Sequence, residues 1–415
     1  MTRAVVLTTI AWAGTASADA VTDWNEIAAG AIPAGRPGPI GQVDMAVVAV
    51  AMHDAVQAYE GRFEPYYVEI AGAKGSKSAA VAAAAHGVLV TFYPAQAGAL
   101  DATYATWLAN NGLTGDEGIA VGEAVAAKAA TLRRLDPNPL PPPFTGGTEP
   151  GQWRPTESFL GGPPPGPPAS FAPMFAPWMA SFDPFALTGP ARYRAPPPPE
   201  LTSARYTADY KEVKAKGALT GSTRTPEQTD IGYFWTDNFF AQMNRAARGI
   251  LAKRTPNMGN RARLLALLNI TMADALITSW DSKLHYNVWR PVTAIREGDF
   301  DGNPNTAGDP AWQSLINNPN YPDYASGANA VVASAVRAFA LFYGRNNFSI
   351  EVTSNAPAAI KKTRTYASFS AVAAQVVNAR IYLGIHFRFA DTAARTHGQQ
   401  VAEYVHDHYL LPTAN

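Results

Sequence analysis

The chain has 415 residues, of which 47% are apolar, so it can bury a sizeable core and is not expected to be disordered. Its 33 basic residues balance 33 acidic ones, so the chain has no overall positive charge that would attract nucleic acid or an anionic membrane. Cysteine is absent, and this excludes thiol catalysis, thiolate-bound zinc, iron–sulfur clusters and disulfides. No nucleic-acid partner is therefore expected.

Residues 1–18 have the pattern of a short export signal. Arg3 gives the charged start, and residues 4–13 form an apolar core. Ala16-Ser17-Ala18 has the small residues that are typical of a signal-peptide cleavage site. An ordinary first helix is the alternative, because two threonines dilute the apolar run. The export interpretation predicts a secreted or periplasmic protein. No apolar stretch reaches the roughly 18 uninterrupted residues that a membrane span needs, so none is expected.

An N-terminal helical part is predicted over residues 19–135. Its segments are rich in alanine, and their apolar residues recur at spacings of three and four, as in helices that pack on other helices. We expect these helices to form a scaffold. They are predicted at residues 42–59, 79–92, 100–108 and 119–134.

Residues 136–202 differ in composition and predict an ordered, proline-rich connector. Three runs of consecutive prolines break any regular helix or strand. Large apolar side chains lie between these runs, and a loose linker would not carry them. The expected anchors are Trp153, Phe171, Phe175, Trp178, Phe182 and Phe185.

The C-terminal part, residues 203–415, is again helical, and we find neither strand-like alternation nor a repeat of fixed period. The predicted fold is therefore an all-α, multi-helix bundle of one structural domain, with the proline-rich connector wrapped around it as a belt. Five of the seven histidines lie in this part, so any chemistry is expected here. Its helices are predicted at residues 203–216, 226–252, 261–289, 325–343, 368–383 and 391–409.

A first candidate segment carries Lys283 and Arg290. The two cations are seven residues apart, which on one helix brings them within about 20° of each other. Pro291 disfavours helical backbone at Arg290, so this arginine is expected to close the helix, where a cation suits the dipole. The alternative is a solvated basic face.

A second candidate is the Ser326-Gly327 pair at the start of a long apolar helix. A hydroxyl and free backbone N–H groups at this position can bind an oxyanion, with the positive end of the helix dipole behind them. The alternative is that Ser326 only caps the helix.

A third candidate joins Arg380 and His386. Six residues along an unbroken helix would place them on different faces, but Gly384 can end the helix and let His386 turn back. The alternative is a hydrogen-bonded histidine of the core.

Taken together, the three patterns closely resemble the superfamily of vanadium-dependent haloperoxidases and type-2 phosphatidic acid phosphatases. Residues 151–156, 224–229 and 289–296 are similar to its soluble, bacterial haloperoxidase-like branch. The resemblance implies a helical fold of this type over nearly everything after residue 24. The patterns, in chain order, are Lys283-x6-Arg290-Pro291, then Ser326-Gly327, then Arg380-x5-His386.

The resemblance also implies an oxyanion pocket. In such a pocket, cations and hydrogen-bond donors hold the oxygens of vanadate, or of phosphate, and Lys283 also polarises bound peroxide. His386 supplies the axial nitrogen, which ligates vanadium in a haloperoxidase and forms a phosphohistidine in a phosphatase. The implied partners are hydrogen peroxide with a halide or small organic substrate, or a phosphate ester, and homodimer formation is left open. The implied oxygen-binding residues are Lys283, Arg290, Ser326, Gly327 and Arg380.

The sequence departs from the family pattern at Ala328, where relatives carry the histidine that acts as acid and base. General acid–base catalysis contributes about 10²- to 10⁴-fold, so we expect impaired turnover and retained oxyanion binding. A deliberate substitution, a natural homologue with other chemistry, or a replacement base each explains this alanine. His285 is the nearest candidate base, but on a helix it points about 200° away from Lys283.

A second departure concerns the carboxylate that orients the axial histidine in many phosphatase relatives, four residues after it. Here that position is Ala390, and Asp391 follows one residue later. Asp391 is expected to be a first-turn residue of the last helix, and a backbone carbonyl is the alternative partner for His386.

Three functions remain open. The whole-length resemblance favours a haloperoxidase-like enzyme that is impaired by Ala328. The alternatives are an acid phosphatase acting through His386 and a catalytically silent homologue that binds phosphate or vanadate.

Overall fold

The computed structural model describes residues 19–36, 38–159, 168–255 and 257–414. The predicted export signal, residues 1–18, lies outside the described residues and stays a prediction. Thirteen α-helices and two short antiparallel sheets occur in the described part of the chain. One main hydrophobic core extends from Ala20 to Leu410. The predicted all-α, multi-helix fold is confirmed.

The N-terminal helices form a layer of scaffold around α2, which is buried over most of its length. Helix α1 was not predicted; it begins with a capping box in which Asp19 and Thr22 bond to each other's backbone. The helix predicted to reach residue 134 ends at Ala129 and continues as one 3-10 turn. The helices are α1 (Ala20–Gly35), α2 (Gly41–Glu60), α3 (Lys77–Phe92), α4 (Ala97–Asn110) and α5 (Gly118–Ala129).

The proline-rich belt is anchored on the bundle. Trp153, Phe182 and Phe185 are buried, as predicted, whereas Phe171 is exposed and anchors nothing. The belt also contains a short hairpin that was not predicted, because strands of three and four residues are too short to give a visible alternation. Its strands are β1 (Glu157–Phe159) and β2 (Pro168–Phe171).

The belt fixes two segments that come from distant parts of the sequence. Trp153 N–H donates to the carbonyl of Asn287, at a distance of 2.7 Å. Phe175 N–H donates to the carbonyl of Asn320, at 2.8 Å. Asp323 N–H in turn donates to the carbonyl of Val288, at 2.8 Å, so the two segments are also joined directly.

The C-terminal helices surround the long helix α9, which packs against α2, α11 and α13. The helix predicted at residues 226–252 is two helices, because Asn238 starts a new one and accepts from Ala241 N–H. A second unpredicted hairpin joins β3 (Ile350–Thr353) to β4 (Thr363–Tyr366). The helices are α6 (Ala204–Gly217), α7 (Pro226–Phe234), α8 (Phe239–Arg254), α9 (Met258–Tyr286), α10 (Pro291–Arg296), α11 (Gly327–Phe342), α12 (Phe369–Tyr382) and α13 (Arg388–His408).

The predicted helix through residue 289 is wrong at its end. Helix α9 stops at Tyr286 because Asn287 adopts the left-handed conformation, with φ of 48°, and its N–H bonds to the Lys283 carbonyl. Arg290 is extended and immediately precedes α10, since the following Pro291 disfavours helical backbone. Lys283 and Arg290 therefore do not share one helix face.

Among the described helices, α9 alone is long and apolar enough, by length and composition, to cross a membrane, and the bent pair α3–α4 passes only as one unit. In α9, 94% of the apolar window is buried inside the bundle. A core helix meets the same criteria as a membrane span.

Candidate oxyanion site

Two buried cations lie against Tyr321 at the centre of the C-terminal part. Lys283 Nζ donates to the carbonyls of Pro322 and Asp323, at 2.6 and 3.1 Å. Arg290 Nε donates to the Tyr321 carbonyl, at 2.8 Å. Both cationic groups lie 4.9 Å from the Tyr321 ring centre. The segment 321–323, rather than a shared helix face, thus brings the two cations together.

Arg290 and Arg380 keep free hydrogen-bond donors. Arg290 Nη1 donates to the Ile385 carbonyl, at 2.6 Å, and Arg380 Nη1 donates to the Trp235 carbonyl, at 3.1 Å. Arg290 Nη2 and Arg380 Nε are buried and bond to no described residue. A buried donor without a partner is costly, so these two groups are ready to bind an incoming acceptor.

The turn after α12 places His386 next to Arg290. The helix ends at Tyr382, and Gly384 follows with φ of +77°. A Cβ at Gly384 would lie 2.4 Å from the Gly217 carbonyl oxygen, so only glycine fits this turn. His386 is 1% exposed, and its Nε2 lies 3.2 Å from Arg290 Nη1.

Ser326 and Gly327 lie at the start of α11, as the sequence predicts. The alternative of a simple cap is wrong, because the Ser326 side chain makes no capping hydrogen bond. Its hydroxyl accepts from Asn329 Nδ2, at 3.3 Å, and Asn329 also donates to Asp391, at 2.7 Å. The N–H of Gly327 has no acceptor within its own helix, as expected for a first-turn residue.

Asp323 is a site residue that the sequence interpretation missed. Its Oδ1 lies 2.7 Å from His386 Nδ1 and 3.5 Å from Arg290 Nη1, and its Oδ2 accepts from Phe387 N–H at 3.4 Å. The carboxylate is completely buried. Asp323 lies three residues before Ser326, but no spacing rule links it to His386, so only the fold reveals the contact.

The electrostatics of the site reflect this crowding of buried charges. Burial, with the positive charge of Arg290, holds the pKa of Lys283 and of His386 well below their usual values. Burial raises the pKa of Asp323 to about 7, although Arg290 and Lys283 oppose the shift. An anion bound here would neutralise mutually repelling cations, so the site favours anion binding.

Ala328 lies in the first turn of α11 and is 8% exposed. Its methyl group can neither accept nor release a proton in catalysis. His285 does not replace the missing base, because it is exposed and its Nδ1 lies 3.1 Å from Arg194 on the surface. His397, further along the chain, is buried in α13.

Asp391 lies in the first turn of α13, as predicted, and is completely buried. It bonds to Asn329 rather than to His386. The sequence-based alternative of a backbone partner for the His386 ring agrees with the structure, because the ring bonds to the Asp323 backbone, while the carboxylate Oδ1 of the same residue lies 2.7 Å from Nδ1.

These groups suit a tetrahedral oxyanion such as vanadate or phosphate. Three buried cations, Lys283, Arg290 and Arg380, are near enough to His386 to lower the pKa of its ring, and one guanidinium nitrogen each of Arg290 and Arg380 has no partner among the described residues. Within the described part of the chain, no group of three His, Asp or Glu side chains could hold a bare metal cation. The residues present therefore fit vanadate through its oxygens, with His386 available to its metal atom.

Comparison with known proteins defines the class of this fold. Residues 263–413 match the family model described as the VCPO second helical-bundle domain. The chain also superposes on the crystal structure of a bacterial vanadium-dependent iodoperoxidase with a TM-score of 0.76, 22% identity and coverage of 94% of this chain and 97% of the other. The holo form of a bacterial vanadium-dependent chloroperoxidase gives a TM-score of 0.73 and 17% identity, with 95% and 98% covered. The fold is that of the vanadium-dependent haloperoxidases.

A curated relative agrees with this class. The vanadium chloroperoxidase of Curvularia inaequalis is 28% identical, over 56% of this chain and 48% of that protein. The chain thus spans about half the length of this relative. The predicted resemblance to the vanadium-dependent haloperoxidases is confirmed.

Proposed function

We propose that the protein is a vanadate-dependent, haloperoxidase-like enzyme that uses hydrogen peroxide to oxidise a halide or a small organic substrate. The observation that carries this proposal is the cage of three buried cations around His386, with unpartnered donors on Arg290 and Arg380. The names of the related proteins support vanadate as the anion.

Each residue of the cage has a proposed role. Arg290 and Arg380 bind vanadate oxygens with their free N–H groups, and His386 supplies the axial nitrogen. Lys283 uses two of its three protons on carbonyl groups and keeps one for the bound anion or oxidant. Ser326 and Gly327 add the positive end of the α11 dipole. Bound vanadate supplies the Lewis acid that activates hydrogen peroxide.

Proton handling is the weak step of the proposed enzyme. At position 328 the chain has a methyl group, so no side chain there can take the proton of peroxide. We expect slow turnover in the present sequence, and we expect Ala328→His to raise it by about 10²- to 10⁴-fold.

The test is peroxide-dependent bromination of a phenol dye by protein loaded with orthovanadate. Ala328→Gln is the matched control, because glutamine fills similar space but cannot transfer a proton. The proposal predicts a signal that rises with histidine and not with glutamine. No bromination by any of the three proteins would end it, and anion binding without turnover would indicate a catalytically silent homologue.

An acid phosphatase is the second candidate, and one observation favours it. Asp323 Oδ1 lies 2.7 Å from His386 Nδ1, so a carboxylate lies beside the imidazole that the phosphatase reaction would use as its nucleophile. Nε2 would attack the phosphorus of a monoester, expel the alcohol and form a phosphohistidine that water then hydrolyses. With p-nitrophenyl phosphate, orthovanadate would inhibit this enzyme, whereas it activates a haloperoxidase.

A further inference from the structure

We infer that Ser326 and Asp391 form a proton relay at the oxyanion site: the Ser326 hydroxyl passes a proton between the bound reactant and the Asp391 carboxylate. The inference rests on the proposed function and deepens it, because it names the groups that transfer protons in a chain with alanine at position 328. It serves either candidate reaction, since both need a group that takes up and returns a proton.

The start of α11 and the first turn of α13 lie against each other. Ser326 N–H donates to the carbonyl of Ala390, at 3.2 Å. The side-chain amide of Asn329 bridges the two relay groups, because its Nδ2 donates to Asp391 Oδ1 at 2.7 Å and to Ser326 Oγ at 3.3 Å. The Ser326 hydroxyl is also close enough to Asp391 to lower the pKa of the carboxyl through a hydrogen bond.

The Ser326 hydroxyl has the hydrogen-bonding capacity that a relay needs. A hydroxyl carries one proton and two lone pairs. Asn329 occupies one lone pair, and the proton can be donated to Asp391. The second lone pair remains for an O–H group of a reactant bound in the site. A proton that arrives on this lone pair can therefore replace the one that passes to Asp391.

The Asp391 carboxyl can take up this proton. It is completely buried, and its Oδ2 has no hydrogen-bond partner among the described residues. Burial holds the pKa of this carboxyl well above its usual value, because it disfavours the charged form. The Ser326 hydrogen bond opposes this shift, and the negative charge of Asp323 adds to it. A carboxyl whose pKa is raised towards neutrality is better suited to acid–base catalysis than an ordinary one.

Asp391 is also coupled to the cations of the cage. Its negative charge raises the pKa of Lys283, Arg290 and Arg380, against the lowering by burial. Arg380, and Arg388 at the start of α13, in turn lower the pKa of the Asp391 carboxyl. A proton taken up by Asp391 removes one negative charge near these cations, so it strengthens their attraction for a bound anion.

The position of Asp391 distinguishes it from Asp323, the other buried carboxyl that is coupled to these cations. Asp323 lies beside His386. Asp391 lies beside Ser326, two residues before Ala328. The relay is therefore next to the position at which relatives carry the acid–base histidine.

The relay conserves atoms and charge. A proton that hydrogen peroxide gives up forms an O–H bond to Ser326 Oγ, while the original Ser326 O–H bond breaks and its proton passes to Asp391. The proton returns along the same path to the oxygen that leaves as water. In a phosphatase it would pass to the oxygen of the leaving alcohol. Ser326 is unchanged after each transfer, and Asp391 holds one proton in between.

The first test measures proton uptake when inorganic phosphate binds, and it requires no turnover. A bound anion raises the pKa of a nearby carboxyl, so binding should protonate part of the Asp391 population. Calorimetry in two buffers with different heats of ionisation gives the number of protons taken up at each pH. We expect Asp391→Asn to bind phosphate and to take up fewer protons than wild type. Equal uptake by the two proteins at every pH from about 5 to about 9 would overturn the inference.

The second test measures the rate of peroxide-dependent bromination by protein loaded with orthovanadate. We expect Asp391→Asn and Ser326→Ala each to lower the rate by at least about 10-fold, and Ser326→Thr, which keeps the hydroxyl, to retain it. In Ala328→His a separate acid–base group is present. Asp391→Asn should therefore lower the rate of that variant by less than about 3-fold.

Asp209→Asn is the matched control for both tests. Asp209 is also a buried carboxyl whose pKa burial raises, and it accepts a backbone N–H of the same segment, that of Phe389, at 2.7 Å. It is bonded to neither Ser326 nor Asn329. We therefore expect this variant to change neither the proton uptake nor the rate.

The outcomes separate this inference from the proposed function. If wild type brominates the dye and Asp391→Asn does not slow it, the relay is wrong and the proposed function stands. An equal loss in wild type and in Ala328→His would also overturn the relay, because that result indicates structural damage. If neither protein brominates the dye, the proposed haloperoxidase fails, and proton uptake with phosphate decides the relay.

Two further results complete the test. If wild type does not bind phosphate, the oxyanion site and the relay fail together. Should Asp391→Asn not fold, the comparison of Ser326→Ala with Ser326→Thr decides: a slower alanine variant supports the relay, and equal rates would overturn it.

Discussion

Two buried carboxylates, one in each half of the molecule, have opposite surroundings. Asp54 in α2 accepts three backbone N–H groups, from Tyr66, Tyr67 and Val68, at 2.6 to 3.0 Å. Asp323 accepts one, and its other contacts are the side chains of His386 and Arg290. Backbone N–H groups thus occupy the carboxylate of Asp54, whereas the carboxylate of Asp323 lies among other ionisable side chains.

The same contrast holds for the buried arginines. Arg36 in the N-terminal part is matched by Asp44 at 2.7 Å and by Asp136 at 2.6 Å. Arg290 and Arg380 carry donors that no described residue binds. Arg36 thus has two carboxylate partners within 2.7 Å, whereas Arg290 has one at 3.5 Å and Arg380 has none among the described residues. Changes in the first set should affect folding, and changes in the second should affect binding.

The largest expected effect is on folding, from Asp54→Ala. The substitution leaves three buried backbone N–H groups without an acceptor, so we expect the free energy of unfolding to fall by about 3–5 kcal/mol. Urea denaturation measures this loss, and calorimetry with inorganic phosphate should give an unchanged affinity for the folded protein. Asp101→Ala is the control on the surface, where the loss should stay below about 1 kcal/mol. Equal losses in both variants would contradict the contrast.

The next effect is a pH dependence of stability from His53 in α2. This ring is buried and bonded to the Glu64 carbonyl, and burial lowers its pKa from 6.5 to about 4. Between these two values the unfolded chain binds a proton that the folded protein excludes, so stability falls as the pH falls. Between pH 6.5 and 4, wild type should lose about 3 kcal/mol more than His53→Gln. Parallel curves for the two proteins would refute this assignment.

The smallest effect on stability, and the clearest on binding, is expected from Arg380→Met. The variant loses a charge-assisted hydrogen bond worth about 1.5–3 kcal/mol, so we expect its affinity for inorganic phosphate to fall by roughly 10- to 100-fold. The free energy of unfolding should change by less than about 1 kcal/mol, because Arg380 has no carboxylate partner among the residues that the structure describes.

Arg364→Met is the reverse control for that variant. Arg364 is buried and bonds to Glu227 and Asp230, each at 2.6 Å. Without Arg364, the buried carboxylate of Asp230 loses its charge partner. We therefore expect the free energy of unfolding to fall by about 3–5 kcal/mol, with unchanged phosphate affinity. If Arg380→Met instead destabilised the protein as much as Arg364→Met, the free donors would be part of the fold and not of a binding site.

Local sequence patterns predict much of this fold. Apolar spacing places nearly all of the long helices, because each of them packs one face or its whole surface into the core. Two of the errors fall where a single asparagine ends or begins a helix, at Asn238 and Asn287. Such a residue is compatible with a helical pattern, and the break becomes visible only when the neighbouring chain is present.

The candidate site divides in the same way. Lys283, Arg290, Arg380 and His386 could be selected because their spacing resembles that of a known superfamily. Asp323 could not be selected, because its contact with His386 joins residues that are 63 positions apart through two loops. The geometry of Lys283 and Arg290 was also mispredicted, since carbonyls of residues 321–323, and not a common helix, hold them together.

The central claim is that one cage, capped by the imidazole of His386, binds a tetrahedral oxyanion. A crystal structure of the protein soaked with orthovanadate tests it most directly. The account predicts vanadium at bonding distance from His386 Nε2, with its oxygens on Lys283, Arg290 and Arg380. Vanadate bound elsewhere, or held in the cage with Nε2 turned away from it, would contradict the account.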